Sequence, residues 1–140
     1  MGRAVSINRS NKYEHLVQRL TGERGYTFEE SGKKLFPTIR ELLTFAAFLG
    51  RSRGSRLRFD GEYSTEDIQG VIYEDTEALE FIWLMALLET EDANILKDGS
   101  EKKCAEIFEE YANCGLDILA KELLDLNETD WPNKITALCV

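Results

Sequence analysis

Pro37-Thr38-Ile39-Arg40-Glu41-Leu42-Leu43-Thr44-Phe45-Ala46-Ala47-Phe48-Leu49-Gly50 is the stretch that decides the fold of this chain. Pro37 keeps a helix from extending upstream, Thr38 can cap it, and Glu41 three residues later closes a capping box. Ile39, Leu42, Leu43, Phe45, Ala46, Ala47, Phe48 and Leu49 make the segment apolar around most of its circumference, so it reads as a buried helix. Gly50 suits the left-handed position beyond a last turn. A helix apolar on nearly all sides needs other helices around it. The expected fold is therefore mainly α, one domain of four to five helices over residues 1–140.

Working outward, Asn8 to Gly22 reads as a first amphipathic helix. Ser10 or Asn11 can cap it, Tyr13, Leu16, Val17 and Leu20 fall on one face, and Gly22 can end it. Glu23 to Leu35, with Tyr26 and Phe28 isolated among charges, reads as a loop. A third helix follows an Asp75 or Thr76 cap through Leu88, and its run Phe81-Ile82-Trp83-Leu84-Met85-Ala86-Leu87-Leu88 places it at the centre of the core. Asp92 to Lys97 can add one turn.

Ser100 then caps the longest element, where Cys104, Ile107, Phe108, Tyr111, Gly115, Ile118, Leu119 and Leu123 keep one helical phase. Gly115 in that stripe either admits another backbone or marks a break. Arg56 to Phe59 and Gly70 to Glu74 are too short for helices and read as a small two-stranded β ribbon. Residues 1–9 and 127–140 read as peripheral tails. Trp131-Pro132 is expected to end regular structure, with Trp131 or Ile135 packing onto the body.

A chain of 140 residues, 43% hydrophobic and 31% charged, suits one globular domain that needs no metal or disulfide staple. No apolar run approaches the roughly 18 residues of a membrane span. Cys104, Cys114 and Cys139 are odd in number and form no Cys-x-x-Cys pair, which argues against a disulfide framework or zinc site and fits a reducing cytoplasm. Met1-Gly2-Arg3-Ala4-Val5-Ser6 matches a short acylation pattern of the kind that recurs by accident.

Charge is segregated along the chain. Residues 1–58 hold 12 Lys+Arg against 5 Asp+Glu, a net +7, and residues 59–140 hold 5 against 21, a net −16. All nine arginines lie in the first part, ending in the cluster Gly50-Arg51-Ser52-Arg53-Gly54-Ser55-Arg56-Leu57-Arg58. Guanidinium forks grip phosphate oxygens, so Arg51, Arg53, Arg56 and Arg58 are the candidate contacts to a DNA backbone or another polyanion. The competing reading pairs them with the protein's own acids, in keeping with a pI of 4.7. The acidic half has two readings of its own, a solubilising face and a phosphate-like surface that mimics DNA.

Catalytic chemistry finds little support. The glycines of the arginine cluster are not followed by the Gly-Lys-Ser/Thr ending of a nucleotide loop. Glu106, Glu110 and Asp117 share a face of the long helix, with Glu109 beside them, but the single histidine, His15, supplies no Glu-x-x-His partner for a metal pair. One histidine also leaves few ways to activate a serine or cysteine nucleophile. No catalytic residue, metal ligand or cofactor is expected.

Two stretches add a family likeness. Leu35-Phe36-Pro37-Thr38 through Phe45-Ala46-Ala47-Phe48-Leu49-Gly50, and Ala105-Glu106-Ile107-Phe108-Glu109-Glu110-Tyr111-Ala112-Asn113-Cys114-Gly115-Leu116-Asp117-Ile118-Leu119, resemble the accessory family called Dnd system-associated protein 4. Its members show a similar Phe-Pro-Thr, then Phe-Ala-Ala-x-Leu-Gly, and a Glu-Glu-Tyr-Ala-Asn-Gly-Gly-Leu block in which Cys114 here replaces the first glycine. The likeness runs from about residue 10 to 125. It implies a place beside bacterial DNA phosphorothioation systems, which exchange a non-bridging phosphate oxygen of DNA for sulfur and are in some cases paired with restriction. With neither a desulfurase cysteine context nor an ATP loop, the implied role is a non-enzymatic accessory that binds other proteins of the system and the DNA backbone. A DNA-binding regulator of the gene cluster is the alternative, and a small metal-dependent nuclease or hydrolase using Glu106 and Glu110 is the third.

Overall fold

The structure, a computed structural model, describes residues 5–22, 35–54, 56–58, 68–73 and 77–139. Its elements, in chain order, are β1 (Val5–Ser10), α1 (Glu14–Leu20), α2 (Ile39–Arg53), β2 (Ile68–Tyr73), α3 (Glu77–Thr90), α4 (Glu101–Leu123) and α5 (Trp131–Leu138). Among the described residues the fold is mostly helical, with five α-helices and one two-stranded antiparallel sheet.

Helix α2 begins as its sequence dictates, with Thr38 Oγ1 accepting from the Glu41 backbone N–H at 3.1 Å. It does not end at Gly50. The helix runs on to Arg53, and Gly50 lies buried inside it. The reason is α4: a Cβ on Gly50 would overlap the Tyr111 carbonyl, and one on Gly115 would overlap the Ala46 carbonyl. The two glycines let the backbones of α2 and α4 touch, so the missing side chain matters here and not the freedom of φ. The same contact decides Gly115, where α4 continues unbroken for 23 residues.

The ribbon forms, but not between the expected strands. β2 pairs antiparallel with β1, Val5 opposite Tyr73 and Ser10 opposite Ile68, while Arg56 to Arg58 has no strand structure and Phe59 lies outside the described residues. Val5 to Arg9, expected to be part of a peripheral tail, are thus in a strand, while residues 1–4 lie outside the described residues. Val5, Ile7 and Arg9 alternate inward onto the core, as period two requires. The first helix is correspondingly shorter than expected, because Asn8 to Ser10 belong to β1. Ser10 Oγ still accepts from the Lys12 N–H at 3.2 Å and opens a 3-10 turn over Asn11–Tyr13 that leads into α1. Gly22 sits beyond the helix at φ +64°.

Arg9 is only 6% exposed, and its Nε and Nη2 donate to Glu14 at 2.9 and 3.0 Å. Burial alone would raise the Glu14 pKa, but the hydrogen bonds from Arg9 and Gln18 outweigh it and hold the carboxylate low. On β2, Tyr73 is buried edge-to-face on Phe108, with ring centroids 5.8 Å apart, and donates its hydroxyl to the Arg40 carbonyl at 2.8 Å. Burial pushes its pKa up to about 12.

Helix α3 buries Leu79, Ile82, Trp83, Met85 and Ala86 but is not enclosed on every side. Phe81, Leu84 and Leu88 are 41%, 43% and 44% exposed. A 3-10 turn over Ala93–Leu96 follows, capped by Asp92, and Ser100 stands before α4 without a side-chain cap bond. The C-terminal stretch also differs from expectation. Trp131-Pro132 starts a helix, since proline in a first turn lacks only an N–H that would have no partner. Trp131, Ile135 and Leu138, at i, i+4 and i+7, are buried.

Candidate functional site

Arg51 and Arg53 stand in the last turn of α2, and Arg56 and Arg58 lie on a short strap, residues 56–58, that runs beside α4. The Gly54 N–H reaches the Gly50 carbonyl at 2.9 Å, and the Leu57 N–H reaches the Glu110 carbonyl at 3.0 Å. Asn113 fixes the strap from below, its Nδ2 donating to the carbonyls of Leu57 at 3.0 Å and Arg58 at 3.4 Å.

The four candidate arginines have different surroundings. Arg51 Nη2 donates to the Leu88 carbonyl at 3.3 Å near the end of α3, and Arg53 Nη2 donates to the Leu138 carbonyl at 2.7 Å at the end of α5. Each places a cation where unpaired carbonyls give a helix end its partial negative charge. Arg56 lies between two helices. Its Nε and Nη2 meet Glu110 of α4 at 3.2 and 3.4 Å, and its Nη1 meets Glu89 of α3 at 3.4 Å. Desolvation would weaken its charge, but these two carboxylates overcome that and raise its pKa. Arg58 approaches Glu110 at 3.8 Å and is 88% exposed. Three of the four guanidinium groups are therefore engaged by the protein's own helices, Arg51 and Arg53 from the end of α2 and Arg56 from the strap.

The acids of α4 are likewise spoken for by different partners. Glu109 accepts from the Asn8 backbone N–H at 2.9 Å, joining α4 to β1, and Asp117 accepts from the Tyr13 hydroxyl at 2.9 Å and pairs with Lys121 at 2.8 Å. Burial, with Glu106 and Glu110 nearby, pushes Glu109 up to about 7 against the lowering effect of the Asn8 bond. Glu106 is exposed. Among the described residues no three His, Cys, Asp or Glu side chains gather as a metal-holding group. His15 is exposed on α1, and the three cysteines are free, with Cys104 buried and its Sγ 3.4 Å from the Ile95 carbonyl. Among the described residues no helix is long and apolar enough to cross a membrane. Gly2 of the acylation pattern and the Tyr26–Phe28 loop lie outside the described residues.

The sequence model of a family described as DNA sulphur modification system-associated protein 4 matches residues 6–140. The chain belongs to that family. No curated protein and no solved structure matches it. Seen from the DNA sulphur modification system-associated protein 4 family, the motif residues that carry the likeness are largely those that close the strap and the α2–α4 contact. Phe36 hydrogen-bonds the end of α1 and packs on Phe45 at 5.3 Å, Thr38 caps α2, and Glu110, Tyr111, Asn113 and Gly115 hold the strap or admit α2. Tyr111 contributes by donating to Glu89 at 2.6 Å, which orients that carboxylate for Arg56. Cys114 is half-buried with its Sγ 4.0 Å from the Gly50 carbonyl.

The sequence reading missed a second surface, the open side of α3. Phe81, Leu84 and Leu88 form a stripe at i, i+3 and i+7. Phe48 of α2 extends it, edge-on to Phe81 at 5.7 Å. Exposed Glu80 falls on one flank of the stripe by helical spacing, and exposed Glu91 follows the end of α3 at φ +53°. The signal was the length of the run Phe81 to Leu88, since eight apolar residues in a row fill more than one face of a helix.

Proposed function

We propose that this protein is a non-enzymatic accessory of a DNA sulphur modification system that acts by docking on another protein of the system through the open face of α3. The observation that carries the proposal is the stripe Phe81, Leu84 and Leu88, each more than two fifths exposed on a helix whose other side is core. Contiguous apolar surface with a charged edge is the usual mark of a protein interface. Glu80 on its flank, in a protein of strong net negative charge, sets the chemistry of the occupant: an apolar helix face bordered by Lys or Arg. A second copy of this chain is disfavoured, because a two-fold pairing sets each flank against its own kind in a protein of net charge −9.

The test is a double substitution, Leu84→Glu with Leu88→Glu, in tagged protein recovered from cells that express the modification system. Both positions are exposed, so folding stability is expected to stay within about 0.5 kcal/mol per site. A protein of the system should copurify with the unsubstituted chain after nuclease treatment, and its affinity should fall about 100-fold or more in the double variant. Equal recovery with both proteins would overturn the proposal, and recovery that vanishes with nuclease treatment would favour the DNA-binding alternative.

A further inference from the structure

On the side of the strap away from α3 lies a cavity of about 240 Å³ whose lining includes Ser10, Lys12, Arg58, Asn113, Asp117 and Lys121. Three cations from three separate parts of the chain line one hollow in a protein that is otherwise strongly anionic. Their sources are the turn after β1, the end of the strap and α4. Asp117 is the one carboxylate among the lining residues, and it is already shared between the Tyr13 hydroxyl and Lys121. Lys12 and Arg58 are exposed at the rim; Arg58 has Glu110 only at 3.8 Å, and Lys12 has the Tyr13 ring 5.5 Å away.

Asn113 adds a second, independent observation. It is 5% exposed, its Nδ2 is committed to two strap carbonyls, and its Oδ1 is buried with no hydrogen-bond partner. The two carbonyl acceptors fix which way the amide points. Through Nδ2 the side chain holds the end of the strap, and with it Arg58, beside the cavity.

We infer that this cavity binds a phosphomonoester or hydrogen phosphate, a small anion that carries close to two charges at neutral pH. Lys12, Arg58 and Lys121 meet its charge by charge-assisted hydrogen bonds. A phosphodiester in the middle of a strand carries a single charge and gives the same cations less to meet. The same chemistry can come from a free phosphate or from the phosphorylated end of a nucleic-acid strand. The site is separate from the α3 face, and its test is independent of partner docking.

The test follows backbone and side-chain amide signals of the full chain by nuclear magnetic resonance. The titrants are inorganic phosphate, sulfate at matched ionic strength, and a short DNA strand with and without a 5′-phosphate. Phosphate is expected to shift the Asn113 side-chain amide and the Lys12 and Arg58 signals saturably, with sulfate, a dianion of similar size, competing for the same site. Lys12→Gln and Arg58→Gln should each weaken binding about tenfold, whereas Lys103→Gln, on an exposed part of α4, should not. A preference for the 5′-phosphorylated strand over its unphosphorylated twin would identify a nucleic-acid end as the source, and equal binding of free phosphate a small ligand. Absence of saturable shifts with phosphate and with the phosphorylated strand would sink the inference. So would affinity that survives loss of both Lys12 and Arg58.

Discussion

Gly115 shows how one absent methyl can organise a protein. Alanine there would gain about 1 kcal/mol of helix propensity, yet its Cβ has nowhere to go but into the Ala46 carbonyl of α2. Gly115→Ala is therefore expected to lower stability by a net of about 1–3 kcal/mol in urea unfolding, and Gly50→Ala by a similar amount against Tyr111. Glu109 makes a second prediction at this scale. Its pKa is about 7 in the folded protein against an ordinary 4.5, so the fold favours the protonated form. Stability from this group is complete below about pH 4.5, is lost as pH rises to about 7, and stays lost above, a change on the order of 3 kcal/mol. Glu109→Gln keeps an acceptor for the Asn8 N–H and should flatten that slope, leaving the variant more stable than the parent at pH 8 in chemical denaturation.

At the scale of elements, the strap depends on a guanidinium between α3 and α4. Removing it leaves Glu89 and Glu110 without their shared counter-charge on a part-buried surface, so Arg56→Ala should cost about 1–2 kcal/mol, between the values for surface and buried pairs. Hydrogen exchange at the Leu57 amide, which is bonded to Glu110, should speed up in that variant while amides in the middle of α4 stay protected. The legibility of these elements follows from how local their causes are. The Thr38 cap and the unbroken phase of α4 are written within a few residues of themselves, and both were readable. β1 was not, because Val5 and Ile7 are two apolar residues whose partner strand lies more than 60 positions away. Gly50 was misplaced as a helix end because the letter G does not say whether the backbone needs a positive φ or a bare Cα. The arginines looked outward for the same reason. The groups that meet Arg51, Arg53 and Arg56 lie 33 to 85 residues along the chain, beyond the reach of any spacing rule.

Over the whole molecule, the two oppositely charged parts of the sequence are interleaved in space. Arg19 of α1 meets Glu128 at 2.7 Å across 109 residues, Asn8 meets Glu109 across 101, and Arg56 meets Glu110 across 54. Burial and the α2–α4 contact hold these parts together, while surface pairs such as Arg19–Glu128, screened by water, add little. Raising salt should accordingly leave the unfolding midpoint nearly unchanged or slightly higher, because screening also relieves repulsion among the excess acids. A large loss of stability in high salt would show that the ion pairs are stronger than this.

The interleaving has a further consequence during synthesis. A ribosome delivers the cationic part of this chain first, and β2 and α4, which complete its sheet and cover α2, arrive later. Until then the growing chain is an unfinished polycation in a cytosol full of RNA. A fragment stopped at Arg58 should show little helix by circular dichroism and should cling to RNA without regard to sequence, a habit expected to weaken in the finished protein, where Glu128 meets Arg19, Glu89 and Glu110 meet Arg56, and helix-end carbonyls meet Arg51 and Arg53.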